Sequence, residues 1–184
     1  VACCLTQDEV IIKNVPLISD VFVMADIIRE LGGKVDFKGH EVSVRVRELK
    51  SGKIFLDKAA EIRTSFMFLA PLLGRLGKAV IPNPGGCRIG ARPIDRIIDG
   101  LSKMGASIKY NSGDGYFHAK SSSGLKGTSY RFIKNTHTGT ETLILSAVLA
   151  KGRTVLENAA LEPEVDELIN LLNQMGAKIK REKK

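Results

Sequence analysis

Residues Ile94-Asp-Arg-Ile-Ile-Asp-Gly-Leu-Ser-Lys-Met-Gly-Ala-Ser-Ile108 carry the pattern from which the fold is read. Ile94, Ile97, Ile98, Leu101 and Met104 recur in steps of three and four, which puts them on one face of a helix. Gly105, directly after Met104, is a helix stop. The same ending occurs on both sides of this stretch. Leu31-Gly-Gly-Lys-Val35 closes a helical pattern of Val21, Met24, Ile27, Ile28 and Leu31. Met175-Gly-Ala-Lys-Ile179 closes one of Val165, Leu168, Ile169, Leu172 and Met175. The three endings start 73 and 71 residues apart.

A second element repeats between them. Ala2–Asn14, Ala70–Asn83 and Ser146–Asn158 each read as a helix end, a turn, a short strand and an Asn. Alternation at Val42, Val44 and Val46 marks a strand after the first helix. The unit is helix, strand, helix, strand, strand, and then a strand or loop into the next helix. A period of about 72 residues is too long for a solenoid. It predicts a small α/β unit copied three times around a pseudo-threefold axis, with central helices and outer sheets. Further helices are expected near 64–76 and 138–151, each after a polar loop. The first copy opens with its helix already under way, and the third is expected to stop at its first strand. Residues 1–184 therefore read as a single domain, truncated at both ends, of a longer protein.

Bulk properties narrow the function classes. Hydrophobic residues make up 43% and charged residues 26%, the balance of a soluble globular chain. No apolar run reaches the length of a membrane span, so no membrane partner is expected. Three cysteines, two of them adjacent, argue against a disulfide framework and suit a cytoplasmic setting. Half of the net charge of +8 sits in Lys178–Lys184, which reads as a solvated tail. With no Trp and few aromatics, stacking on nucleic-acid bases has few candidates, and no nucleic-acid partner is expected. His40 and His118 are assigned to separate strands with no matching Cys or carboxylate spacing, so neither a metal site nor a cofactor is expected.

The stretch with chemistry in it is Ile81-Pro-Asn-Pro-Gly-Gly-Cys-Arg-Ile-Gly-Ala-Arg-Pro-Ile-Asp95. Pro82, Pro84, Gly85 and Gly86 exclude regular structure, which leaves Cys87 on a loop between a strand and a helix. Arg88 and Arg92 flank it, and neighbouring cations favour thiolate. Arg92-Pro93 opens the helix, whose unpaired N–H groups can receive an anion. On this chemistry alone an ordinary turn with an incidental cysteine stays open.

Pro84–Asp95 resembles the signature loop of the UDP-N-acetylglucosamine enolpyruvyl transferase (1-carboxyvinyltransferase) family, and the resemblance runs along nearly all of the chain. It implies the enolpyruvyl-transferase type of inside-out α/β barrel domain. It also implies transfer of the enolpyruvyl group of phosphoenolpyruvate to the 3′-hydroxyl of UDP-N-acetylglucosamine, the first committed step of peptidoglycan synthesis. In such a transferase Cys87 is the general acid, and it can form a covalent adduct with the substrate and with fosfomycin. Arg63, in Glu61-Ile-Arg-Thr-Ser-Phe-Met-Phe-Leu-Ala-Pro71, matches the substrate-site arginine and is assigned with Arg92 to the anionic site. Pro93, Ile94, Asp95 and Arg96 are assigned to the uridine part. Lys134, Asn135, Thr136 and His137 are assigned to the diphosphate loop. The sequence Asn135-Thr-His-Thr departs from the small or apolar residues frequent at that place, which puts the side-chain roles of Thr136 and His137 in doubt. The carboxylates of Glu157–Glu164 read as charging a helix start. The resemblance implies a second domain of the same enzyme as partner and an upstream Lys-Asn pair, and without them the isolated chain is expected to be inactive. The alternatives are a shikimate-pathway-type enolpyruvyl transferase, which lacks the Pro-Gly-Gly-Cys loop, a non-catalytic fragment or binding paralogue of the same fold, and a basic nucleic-acid-binding module.

Overall fold

The computed structural model describes residues 1–85 and 94–182. A 3-10 turn, Ala2–Leu5, leads into β1 (Glu9–Ile12), α1 (Ser19–Glu30), β2 (Lys34–Lys38) and β3 (Glu41–Arg45). The second copy comprises α2 (Leu56–Glu61), a 3-10 segment Arg63–Phe68, α3 (Leu69–Leu76), β4 (Lys78–Pro82), α4 (Asp95–Lys103), β5 (Ser107–Asn111) and β6 (Tyr116–Lys120). The third comprises β7 (Ser129–Arg131), α5 (His137–Val148), β8 (Val155–Glu157) and α6 (Pro163–Gln174).

The repeated helix stops are the same device three times. Gly32, Gly105 and Gly176 have φ of +100°, +93° and +102°, a left-handed region that glycine enters without steric cost. At each stop the next residue's N–H reaches back to a carbonyl one turn up. Gly33 bonds Ile28, Ala106 bonds Leu101 and Ala177 bonds Leu172, at 2.9, 3.0 and 3.0 Å. The recurring Asn has a local cause in two copies. Asn14 and Asn158 sit at φ of +57° and +53°, which Asn tolerates better than other side chains.

The first two sheets share one topology. In each, the last strand lies in the middle, antiparallel to both neighbours, in the orders β1-β3-β2 and β4-β6-β5. Register matches as well: Val44 faces Val10 and Val35, as Ala119 faces Ala79 and Ile108. Among the described residues the third sheet has β7 and β8, in parallel. Residues 178–182 form no strand, contrary to the expectation of one there. Their counterparts β2 and β5 are held by a middle strand, and without that ladder of hydrogen bonds extended backbone has nothing to register against.

The helices are central. Leu69, Leu72 and Leu73 of α3 and Leu143 and Leu145 of α5 are fully or almost fully buried. In β3, buried Val42 and Val44 alternate with less buried neighbours, so this strand keeps one face outward. The expected helix over 64–76 divides into the 3-10 segment and α3. His40 lies in the turn between β2 and β3 rather than in a strand, and its Nδ1 lies 2.9 Å from the Val15 carbonyl oxygen.

One side chain ties the first copy to the second. Arg75 donates from Nη1 to the carbonyls of Cys4, Thr6 and Val46 at 3.0, 3.2 and 2.8 Å, and from Nη2 to that of Arg47 at 2.8 Å. Arg75→Met keeps the stem and removes all four bonds. It is expected to lower stability by about 1–3 kcal/mol, read as a lower urea midpoint at unchanged slope.

Candidate functional site

Strand β4 delivers the chain to Asn83, Pro84 and Gly85 beside α2. A Cβ built on Gly85 would collide with the Ala60 backbone, reaching its Cα at 2.7 Å. The first glycine of the Pro-Gly-Gly sequence is thus a close approach of two backbones. Gly85→Val is expected to destabilise the chain by about 1–3 kcal/mol, measurable by urea unfolding. The predicted site residues Cys87, Arg92 and Pro93 lie outside the described residues. The described chain resumes at Ile94, the N-cap residue of α4.

From there a cleft forms. Arg63, Phe66, Met67, Ile94, Arg96, Ile97, Thr136 and Thr138 line a shallow depression. Four of the predicted residues, Arg63, Ile94, Arg96 and Thr136, therefore share one wall system, although they come from three separate parts of the chain. Each has a positioning element. Arg63 opens the 3-10 segment, whose Ser65 hydroxyl donates to the carbonyls of Ile62 and Ala59 at 2.8 and 3.1 Å. Arg96 lies in the first turn of α4. That turn is held from the side by Tyr130, whose hydroxyl donates to the Arg96 carbonyl at 3.4 Å and whose ring stacks edge-on against Phe132. Burial, with the Asp99 carboxylate adding to it, pushes the Tyr130 pKa up to about 12.

Thr136 caps α5, its Oγ1 accepting from the Gly139 N–H at 3.3 Å. The N–H groups at the start of α5 have no intrahelical acceptor and face the same end of the molecule as Thr136 and Thr138. The starts of α4 and α5, each the positive end of a helix, thus border a cleft that Arg63 and Arg96 also line. None of its described lining residues is acidic. Such a place suits an anion with several oxygens.

The remaining predicted residues lie near the cleft without lining it. Lys134 is exposed, and Asn135 donates to the Ala159 carbonyl at 3.3 Å. Asp95 is exposed in the first turn of α4. His137 turns along α5, with Nε2 3.6 Å from Glu141 Oε1, beyond hydrogen-bond length. Burial raises the Glu141 pKa; His137 opposes the shift, and Glu164 and Glu162 add to it. Glu164 and Asp166 charge the first turn of α6, and Glu162 at the N-cap makes no side-chain cap bond. Sequence reasoning missed the apolar wall of Phe66, Met67 and Ile97. Its only signal was the run Ser65-Phe-Met-Phe68 beside Arg63, which has the look of core. Among the described residues no group of three or more His, Cys, Asp or Glu could hold a metal ion. None of their helices is long and apolar enough to cross a membrane.

Comparison with known proteins gives a consistent set. The family model described as EPSP synthase (3-phosphoshikimate 1-carboxyvinyltransferase) matches residues 1–184. The UDP-N-acetylglucosamine 1-carboxyvinyltransferase of Acidobacterium capsulatum is 43% identical over 182 residues, covering 97% of this chain and 41% of that protein. The protein of the same name from Coxiella burnetii is 40% identical over 179 residues, covering 97% and 41%. The chain therefore spans about two fifths of the length of these curated relatives. Among solved structures, the enolpyruvyl transferase NikO from Streptomyces tendae superimposes with a TM-score of 0.83 at 20% identity, over 98% of this chain and 42% of that one. An EPSP synthase from Acinetobacter baumannii gives 0.73 at 20% identity, over 97% and 40%. At that identity the two structures establish the fold alone.

Proposed function

The chain belongs to the EPSP synthase family of carboxyvinyl transferases, and from that premise we propose that it is the cysteine-bearing part of a UDP-N-acetylglucosamine 1-carboxyvinyltransferase. The observation that carries this reading is the cleft itself. Two arginines and two helix starts border it, and Cys87 is seven residues upstream of Ile94 on its wall. The curated relatives at about 40% identity bear that name.

In the proposed reaction the sugar 3′-hydroxyl gives its proton to a carboxylate of the remaining domain as its oxygen adds to C2 of phosphoenolpyruvate, while C3 takes a proton. The resulting tetrahedral adduct loses phosphate from C2 and a proton from C3, which restores the vinyl group on the new ether. Cys87 supplies the proton to C3 as general acid. Arg63 and Arg92 hold the carboxylate and phosphate charge. Pro93, Ile94, Asp95 and Arg96 take the uridine, Asp95 accepting from the uracil edge. Backbone N–H groups at the start of α5, with Lys134, Asn135, Thr136 and His137 around them, take the diphosphate. The remaining domain of the enzyme closes over the substrates. The reaction belongs in the cytoplasm, at the first committed step of peptidoglycan synthesis.

The test is calorimetry and mass spectrometry on the chain itself. UDP-N-acetylglucosamine is expected to bind, with affinity falling about 10–100-fold in Arg63→Ala. Fosfomycin is expected to add one mass equivalent at Cys87. Binding of shikimate 3-phosphate in place of the nucleotide sugar, with no adduct at Cys87, would overturn the assignment in favour of the shikimate-type reaction.

A further inference from the structure

His137, the first residue of α5, holds a nitrogen that no hydrogen bond satisfies. Its Nε2 is closed off from solvent, although the side chain as a whole is 42% exposed, so the exposed part lies away from Nε2. A buried polar atom in that state calls for a compensating charge or a function. The group beside Nε2 is Glu141, one helical turn on, with Oε1 at 3.6 Å. The Glu141 side chain is only 16% exposed. Imidazole and carboxylate are thus packed together away from bulk water. Carrying one proton the pair is neutral; without it the pair keeps one negative charge.

The pair stands at the anion-binding end of α5. Thr136 and Thr138, on either side of His137, line the cleft. Thr136 Oγ1 takes the Gly139 N–H, and the Thr136 carbonyl takes the Thr140 N–H at 3.0 Å. The N–H groups of His137 and Thr138 have no partner among the described residues, so they are the ones that can turn to an anion. An unneutralised carboxylate at Glu141 offsets the positive end of the helix from which they point. Burial raises the Glu141 pKa, His137 lowers it, and Glu164 and Glu162 at the start of α6 raise it further. Asp166, also on α6, is engaged by Arg181 Nε at 3.1 Å. From the 3-10 segment and α4, Arg63 and Arg96 line the cleft, while Asp95 and Asp99 bear on Tyr130. Arg75 of α3 is committed to its four carbonyls.

We propose that Glu141 acts through His137 as a proton-dependent control on anion binding: with a proton held by the pair a diphosphate seats at the start of α5, and without it the Glu141 charge repels that diphosphate. The proton belongs to the pair, whichever atom carries it. An anion stabilises the protonated pair, so binding takes up a proton and affinity is highest at low pH. Affinity falls as pH rises through the titration of the pair, by at most about tenfold per pH unit for one proton. The identity of the anion as a nucleotide-sugar diphosphate rests on the function proposed above, whereas the coupling of His137 to Glu141 does not.

The test is calorimetric titration of the 184-residue chain from about pH 5 to about pH 8, the interval in which imidazole charge changes. The first probe is UDP-N-acetylglucosamine, a diphosphate diester whose charge is constant over that interval. The second is sulfate, whose charge is constant as well. In the parent chain, affinity for the nucleotide sugar is expected to fall about tenfold across the interval. His137→Gln is expected to flatten the profile at the parent's weak, high-pH value. Glu141→Gln is expected to bind about three- to tenfold more tightly than the parent at about pH 8, a gain that loss of a merely structural contact does not give. Equal profiles in the parent and His137→Gln, or binding no tighter than the parent's in Glu141→Gln at high pH, would overturn the proposal. If UDP-N-acetylglucosamine does not bind while sulfate shows the profile and its loss in His137→Gln, the nucleotide-sugar assignment falls and the pair stands. If neither anion shows a profile that His137→Gln removes, the pair has no such role.

Discussion

Cys87→Ala is expected to lower kcat by about 10²–10⁴-fold, the range in which a positioned general acid contributes. The measurement is phosphate release by a chimera carrying residues 1–184 in place of the matching segment of the Acidobacterium capsulatum relative. The loss should fall on kcat with little change in KM for the nucleotide sugar, because the thiol is assigned to proton delivery and not to holding either substrate. Cys87→Asp separates the two properties of the residue. A carboxylic acid can still deliver a proton, so this variant should recover a large part of the lost rate. It cannot be alkylated in the same way, so the fosfomycin adduct should disappear. If Cys87→Ala and the parent chimera turned over alike, the cysteine would have no catalytic role.

Phe68→Ala is expected to cost about 3–5 kcal/mol, a large share of the 5–15 kcal/mol that holds a typical domain together. Phe68 is 0% exposed, at the junction where the 3-10 segment passes into α3, and it belongs to the main core cluster. Truncation leaves a cavity among neighbours that are themselves fixed by central helices, so collapse around it is limited. Because Phe68→Ala can fail to fold, Phe68→Leu gives a second point, with an expected cost of about 1–2 kcal/mol. Urea midpoints for the pair should fall in that order at a common slope. A Phe68→Ala midpoint within error of the parent would contradict the core described above.

Local features were the ones legible in the sequence. Gly32, Gly105 and Gly176 could be read as helix stops because the left-handed turn they make is set by neighbours within one helical turn. The apolar stripes of α1, α4 and α6 follow from 3.6-residue spacing in the same way. Helix α2 was not legible, because Leu56–Glu61 is six residues long and buries only Ala59, too little to show a period. The middle placement of β3 and β6 was not legible either, since strand order depends on pairing between segments far apart in the chain. Residues 178–182 repeat the local pattern of β2 and β5, yet a strand needs a neighbour that local pattern cannot report.

The cleft divides along the same line. Two of its arginines, Arg63 and Arg96, with Ile94 and Thr136, were named through the family resemblance and do come together. Composition and spacing had no means of joining a 3-10 turn, the start of α4 and the start of α5. Phe66, Met67 and Ile97 were hidden for a different reason. An apolar wall of a polar cleft has the same sequence signature as core. Asn135 and His137 flank Thr136, but Asn135 donates to the Ala159 carbonyl and His137 lies alongside Glu141.

The four carbonyls gathered by Arg75 also bear on how fast the chain folds and unfolds. Cys4 and Thr6 precede Arg75 by 71 and 69 residues, and Val46 and Arg47 by 29 and 28. Closing such long loops is entropically slow, and no pair of them can form until both copies have largely taken shape. The guanidinium should therefore engage after the rate-limiting barrier. Its loss in Arg75→Met should leave the refolding rate nearly unchanged and appear almost wholly as faster unfolding. Arg75 then acts as a latch on the completed domain, lengthening the life of the native state without helping to reach it.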